Sequence, residues 1–255
     1  MIIDAHIHFD QYIKEQQELI LNEMAPNEVS HLISVSTDLE SCKANLTLSK
    51  MDHRILPAFG FHPEQPSPNE AAQAQLFEWI KVNKDSMIAI GEVGLPYYLN
   101  KEKGVDYSPY IDLLEKFIAL TAKLNKPIVL HAVYEDAKIA CDLLEKYQVK
   151  AAHFHWFKGD AQTVDRMIAN GYFISITPDV LYEEEIQQLV HQYPLGQLMV
   201  ETDGPWPFEG PFIGQMTHPK MIKATIQEIA NLKQQPIEEI AAVLYENTKR
   251  FYSIL

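Results

Sequence analysis

Met1–Asp10 reads MIIDAHIHFD. A short apolar run starting at Ile2 ends in two histidines, His6 and His8. Apolar, β-branched residues over so few positions predict a strand. Residues two apart on a strand project from one face, so both imidazoles can reach one metal ion. The turn after this run is equally informative. A dinucleotide-binding sheet places a Gly-rich phosphate loop after its first strand. Here the chain continues Phe9-Asp10-Gln11, with no glycine. That turns an α/β reading away from an open doubly wound sheet and toward a closed barrel.

Outward from this run, short apolar segments alternate with longer amphipathic ones. Further strands are expected at His31–Thr37, Ile55–His62, Met87–Leu95, Pro127–Val133, Lys150–Phe157, Tyr172–Thr177 and Leu198–Thr202. Helical spacing of apolar residues marks Tyr110–Leu124, Asp136–Tyr147, Pro219–Leu232 and Ile237–Tyr252. Asp38 and Asn69 sit where helix N-caps are wanted. Strands alternating with helices imply parallel pairing through crossover helices. The chain has 255 residues, 47% of them hydrophobic, which suits one barrel of ordinary size with a large core. The expected fold is α/β, a (β/α)8 TIM barrel, with residues 1–255 as one domain. The Pro-rich patches Pro63–Pro68 and Pro205–Pro211 come after strands 3 and 8 and read as active-face loops.

The formal net charge of −14 excludes a broad basic surface for duplex DNA, so any nucleic-acid contact must be local. A metal centre can supply positive charge at one spot. The two cysteines, Cys42 and Cys141, are too few and too far apart for a disulfide framework or a zinc finger. They read as reduced core residues. The opening segment lacks the basic start and long apolar run of a signal peptide, and no stretch is long enough to span a bilayer. A cytoplasmic location and no membrane partner are therefore expected.

A barrel predicts catalytic groups at the C-terminal ends of its strands. Strand 1 ends in His6 and His8. Strand 4 carries Glu92, strand 5 His131 and strand 6 His155, and Asp203 comes just after strand 8. One such residue alone is weak evidence, since a lone histidine is more often structural than a ligand. Ligand types at five strand ends together point to a metal site. Mixed nitrogen and carboxylate donors suit zinc or manganese. Magnesium usually takes oxygen ligands, yet it stays in the set, as one or two divalent ions.

At these positions the sequence resembles the TatD family of metal-dependent deoxyribonucleases, within the amidohydrolase-like barrels. The resemblance runs over nearly the whole chain through DAHIHFD, GFHP at Gly60–Pro63, GEVGL at Gly91–Leu95 and Leu130-His131. It continues through HWFKG at His155–Gly159, ETDGP at Glu201–Pro205 and NTKRFY at Asn247–Tyr252. It implies a two-metal site, with one ion on His6, His8, Glu92 and Asp203 and the other on Glu92, His131 and His155. Glu92 would bridge, and a water between the ions would be the nucleophile, oriented or deprotonated by Asp203. His62 would contact substrate. The HWFKG frame selects His155 over His153, which shares its strand face. Asp4, Glu201 and His153 are candidates for outer carboxylate or histidine support.

The implied activity is hydrolysis of phosphodiesters, on DNA ends or single strands. The alternative is an amidohydrolase or lactonase acting on a small carbonyl substrate. Two departures bear on the choice. Pro96 stands where the family usually has Asp after GEVGL, and Val133 stands where it usually has Arg after the strand-5 histidine. Arginine is the natural bidentate phosphate ligand, so this change touches substrate recognition and no metal ligand. Lys158, or Lys101 and Lys103, could replace that contact. Tyr97, Tyr98, Trp156, Trp206 and Phe208 flank the site, where aromatic rings can stack on bases or line an apolar pocket.

Overall fold

A computed structural model describes all residues, 1–255. Eight strands form one parallel sheet in sequential order: β1 (Ile2–Ile7), β2 (Val29–Ser34), β3 (Ile55–Phe59), β4 (Ala89–Gly94), β5 (Ile128–His131), β6 (Ala152–Phe154), β7 (Phe173–Ile176) and β8 (Leu198–Val200). Ten α-helices connect the strands or cap the ring. They are α1 (Lys14–Met24), α2 (Leu39–Met51), α3 (Glu70–Val82), α4 (Tyr97–Lys103) and α5 (Ser108–Leu124), then α6 (Glu135–Lys146), α7 (Ala161–Asn170), α8 (Glu184–Gln192), α9 (Ile222–Lys233) and α10 (Ile237–Tyr252). This is the (β/α)8 barrel expected from the strand–helix alternation. No helix is long and apolar enough to cross a membrane.

Every expected strand is present, but most are shorter than the apolar runs. β3 stops three residues before His62, and β6 stops one before His155. The apolar pattern continues into the turns because those turns are buried. The caps behave as expected. Asp38 accepts a hydrogen bond from the Ser41 N–H and Asn69 from that of Ala72, each worth about 1 kcal/mol. Cys42 and Cys141 are free thiols, fully buried in α2 and α6.

The larger apolar cluster lies between strands and helices, as where Phe59 of β3 meets Trp79 of α3 edge-on. A smaller cluster fills the barrel with Ile3, Ala5, Ile33, Val35, Ala58, Ala89, Val129 and Met199, and Phe251 and Tyr252 of α10 complete it. The ring closes between β1 and β8. There the Asp203 N–H donates to the His6 carbonyl at 2.9 Å, and the His8 N–H donates to that of Gly204 at 2.8 Å. The Asp4 carboxylate stitches the same seam, accepting the Thr202 N–H at 3.0 Å and its hydroxyl at 2.5 Å.

Two ladder irregularities matter for the site. β1 slips register between Asp4 and Ile7, and β4 between Ile90 and Val93. Those segments carry His6 and Glu92. Bulges of this kind re-aim side chains beside active sites. Glycine permits the accompanying close approach. A Cβ on Gly94 would collide with the His131 carbonyl, and one on Gly60 would sit 2.5 Å from the Glu92 carbonyl oxygen.

Candidate metal centre

The six strand-end residues converge. His6 Nε2 lies 3.3 Å from Glu92 Oε2 and 3.2 Å from Asp203 Oδ1. His8 Nε2 lies 3.2 and 3.4 Å from the same two oxygens. Beside this group, Glu92 Oε1 lies 3.0 Å from His131 Nδ1 and 2.7 Å from His155 Nε2, and those nitrogens are 3.2 Å apart. Glu92 thus gives one oxygen to each group. The His6 and His155 rings stack at 3.8 Å, so the two groups abut.

These donors fit a divalent metal. The four nitrogen–oxygen separations of the first group, 3.2–3.4 Å, are those expected between donors that each lie about 2.0–2.1 Å from one ion. Close as they are, His6 Nε2, Glu92 Oε2 and Asp203 Oδ1 are buried and make no aligned hydrogen bond. Buried polar atoms left unpaired cost about 1–3 kcal/mol each. A shared cation explains an arrangement that hydrogen bonding does not.

The electrostatics are those of carboxylates ringed by imidazoles. Burial would raise the Glu92 carboxyl, but His155, His62 and His6 around it hold it well below its usual range. Asp203 is lowered for the same reason, by His6 and His8 against the cost of burial. Burial opposes a charge on His8, yet the Asp203 and Glu92 carboxylates lift it to about 10. His131 and His155 are raised likewise, against burial, by Glu64 and Glu92 and by Glu92 and Glu201 respectively.

These shifts set the sign of the pH effect. A protonated His8 stabilises the metal-free fold below its ordinary value of 6.5, and that contribution fades as pH rises toward about 10. Metal competes with those protons, so metal affinity is expected to climb across that window, with proton release on binding. Calorimetry in buffers of different ionisation enthalpy checks this. Identical heats in every buffer would mean that the histidines were already neutral.

His62 sits among these groups, with Nε2 3.4 Å from Glu92 Oε1 and its ring 4.9 Å from that of His131. Its Nδ1 accepts the Glu64 N–H at 3.2 Å, which assigns the ring proton to Nε2. Burial depresses His62 to about 4 despite Glu92, so the ring is neutral near pH 7. With a proton on the inward nitrogen, His62 is a hydrogen-bond donor, and the same ring stands with His8 and Glu92 in a group close enough to hold a cation.

His153 points elsewhere. Tyr252 Oη lies 2.8 Å from its Nδ1 and Ser175 Oγ 2.5 Å from its Nε2, while the Ser175 hydroxyl donates to Glu201 at 2.5 Å. Ser175 gives its proton to Glu201 and so accepts from His153 Nε2, while the single Tyr252 proton lies between His153 Nδ1 and the Ala5 carbonyl 3.2 Å away. The other Glu201 oxygen accepts the Trp156 N–H at 2.7 Å and lies 3.7 Å from His155 Nδ1. Glu201 thus stands behind His155 at more than hydrogen-bond distance, whereas Asp4 accepts the His6 N–H at 3.3 Å and otherwise serves the seam.

The aromatic residues divide. Trp156, at φ 37°, is pinned by its indole N–H to Asp179 at 2.6 Å, and its ring meets Trp206 at 6.2 Å and Phe208 at 5.7 Å. The Tyr97 and Tyr134 rings meet tilted at 4.8 Å, with the Lys101 ammonium 4.6 Å from the Tyr97 ring centre. Val133 is buried and gives the rim no charge. Sequence reasoning passed over Asp179, Ser175 and Glu64. Only Glu64 carried a signal, as a carboxylate two residues after His62 in a loop already assigned to the active face.

Comparison with known proteins agrees with this geometry. The sequence profile of the family described as TatD related DNase matches residues 3–253. A protein of Haemophilus influenzae called an uncharacterized metal-dependent hydrolase is 38% identical, covering 100% of both chains. A metal-dependent hydrolase of Methanocaldococcus jannaschii is 31% identical over 98% of this chain and 96% of its own. The crystal structure of YjjV, a TatD homologue of Escherichia coli, superposes with a TM-score of 0.85 at 24% identity, covering 100% of this chain and 98% of that one. The chain belongs to the TatD family of metal-dependent hydrolases.

Proposed function

We propose that this protein is a two-metal phosphodiesterase acting on DNA ends or single strands. One observation carries the reading: Glu92 offers one carboxylate oxygen to each of two adjoining donor groups. When bound, two divalent ions supply Lewis-acid charge at the attacking and leaving oxygens of an in-line displacement and acidify the attacking water. His6, His8, Glu92 and Asp203 would hold one ion, and Glu92, His131 and His155 the other. Asp203 accepts the proton of the attacking water. His62 donates its Nε2–H to a phosphoryl oxygen as charge builds there. Trp156, fixed by Asp179 and Glu201, offers a face on which a terminal base can stack.

The test uses metal-stripped protein reloaded with manganese, magnesium or zinc. It is offered single-stranded DNA, blunt duplex and a panel of lactones. Cleavage of DNA from an end is expected, with Trp156→Ala raising KM about tenfold through lost stacking. Lactone turnover without DNA cleavage would overturn the reading in favour of carbonyl hydrolysis, which the uncharged Val133 position also suits.

A further inference from the structure

We propose that Glu64 is a positioning residue that orients the His131 ring toward the second metal position and ties that orientation to the seating of α4. This rests on the two-position reading above. Glu64 lies in the turn after β3, away from the strand ends that carry the donors, with its side chain 16% exposed. Two backbone groups hold its carboxylate whatever His131 does. Tyr98 N–H donates to Oε1 at 2.9 Å and Leu99 N–H to Oε2 at 2.6 Å. Thus fixed, Oε1 stands 3.2 Å from His131 Nε2.

A carboxylate held by two N–H donors is an acceptor, so His131 must present a proton on Nε2. Glu92 Oε1 on the other side is also a carboxylate, 3.0 Å from Nδ1, so it is a cation that displaces the proton from Nδ1, the nitrogen that also faces His155 Nε2, while Glu64 keeps the proton on Nε2. Carboxylate, histidine and metal in line set both the ring orientation and the basicity of the ligating nitrogen. The same residue acts on a second histidine in the opposite sense. Its backbone N–H occupies His62 Nδ1 and leaves the proton of that ring on the inward Nε2. One residue of the β3 turn thereby makes one neighbour a ligand and the other a donor. Tyr98, whose N–H grips Glu64, also sets its ring 6.2 Å from that of His131, so α4 meets the ligand both directly and through Glu64.

The experiment combines metal titration with imidazole nitrogen NMR on Glu64→Ala and Glu64→Gln. In Glu64→Ala the second metal is expected to bind about 10–100-fold more weakly, with the first unchanged. Glu64→Gln should recover part of that loss, because an amide oxygen still accepts the His131 and Tyr98 protons while its NH2 cannot accept the Leu99 N–H. In zinc-loaded wild type, His131 should show a proton on Nε2 and a metal-shifted Nδ1. Unchanged second-metal affinity in Glu64→Ala, in a wild type that binds two, would overturn the inference while leaving the two-metal reading intact. A wild type that binds one metal would end the two-metal reading instead. The zinc-loaded one-metal protein then decides: a proton on His131 Nε2 in wild type that is lost or mixed in Glu64→Ala supports the role, and imidazole nitrogen shifts unchanged by Glu64→Ala remove it.

Discussion

Glu92→Ala is expected to abolish metal retention at both positions and to lower turnover about 10⁴-fold, the scale on which a catalytic unit fails when one member is removed. Glu92 faces both donor groups with separate oxygens: His6 and His8 meet Oε2, and His131 and His155 meet Oε1. Removing the carboxylate also leaves several buried imidazoles facing each other without their counter-charge. The metal-free variant should therefore hold its histidines less protonated than wild type, the reverse of the lift that places His8 at about 10. Elemental analysis after dialysis and single-turnover rates check the first two effects. Retention of two metals per chain by Glu92→Ala would refute the bridging role.

Asp203→Asn separates ligand from base. Asp203 sits at φ 49°, and asparagine tolerates the left-handed region well, so the substitution should leave the fold intact. An amide oxygen can still face a metal but accepts a proton poorly. At saturating metal, kcat is expected to fall about 10³-fold with little change in KM, the loss of a general base. The carboxyl of the wild type, held low by His6 and His8, is ionised at neutral pH and faces the site without first losing a proton. A variant whose turnover recovers to within about threefold of wild type when metal is raised would show that Asp203 is a ligand alone.

The barrel and most of the site were legible in the sequence for one physical reason. Parallel strands buried on both faces read as apolar runs, and a barrel puts its chemistry where those runs end. His6, His8, Glu92, His131, His155 and Asp203 all lie at such ends. The sequence hid what depends on backbone irregularity. The register slips in β1 and β4 that aim His6 and Glu92 leave no compositional trace. Nor does the left-handed conformation of Trp156, an aromatic residue in a region usually left to glycine or asparagine. Glu64 was overlooked because its partners are backbone N–H groups of Tyr98 and Leu99, contacts without side-chain identity. Resemblance to the family supplied the choice between His153 and His155, and the geometry gives it a cause in the chain from Tyr252 to Glu201.

The seam between β1 and β8 has a consequence for biosynthesis. Asp4 and Thr202, which stitch it, are 198 residues apart in sequence. One donor group takes His6 and His8 from the first strand to be made and Asp203 from just past the last. At about 5–20 residues per second, the ribosome delivers Asp203 on the order of 10–40 s after His6. Until then β1, paired with β2 on one side, has its other edge open, and its histidines lack a full donor set. Metal capture at that position is therefore a late event, coupled to ring closure rather than to the emergence of any one strand.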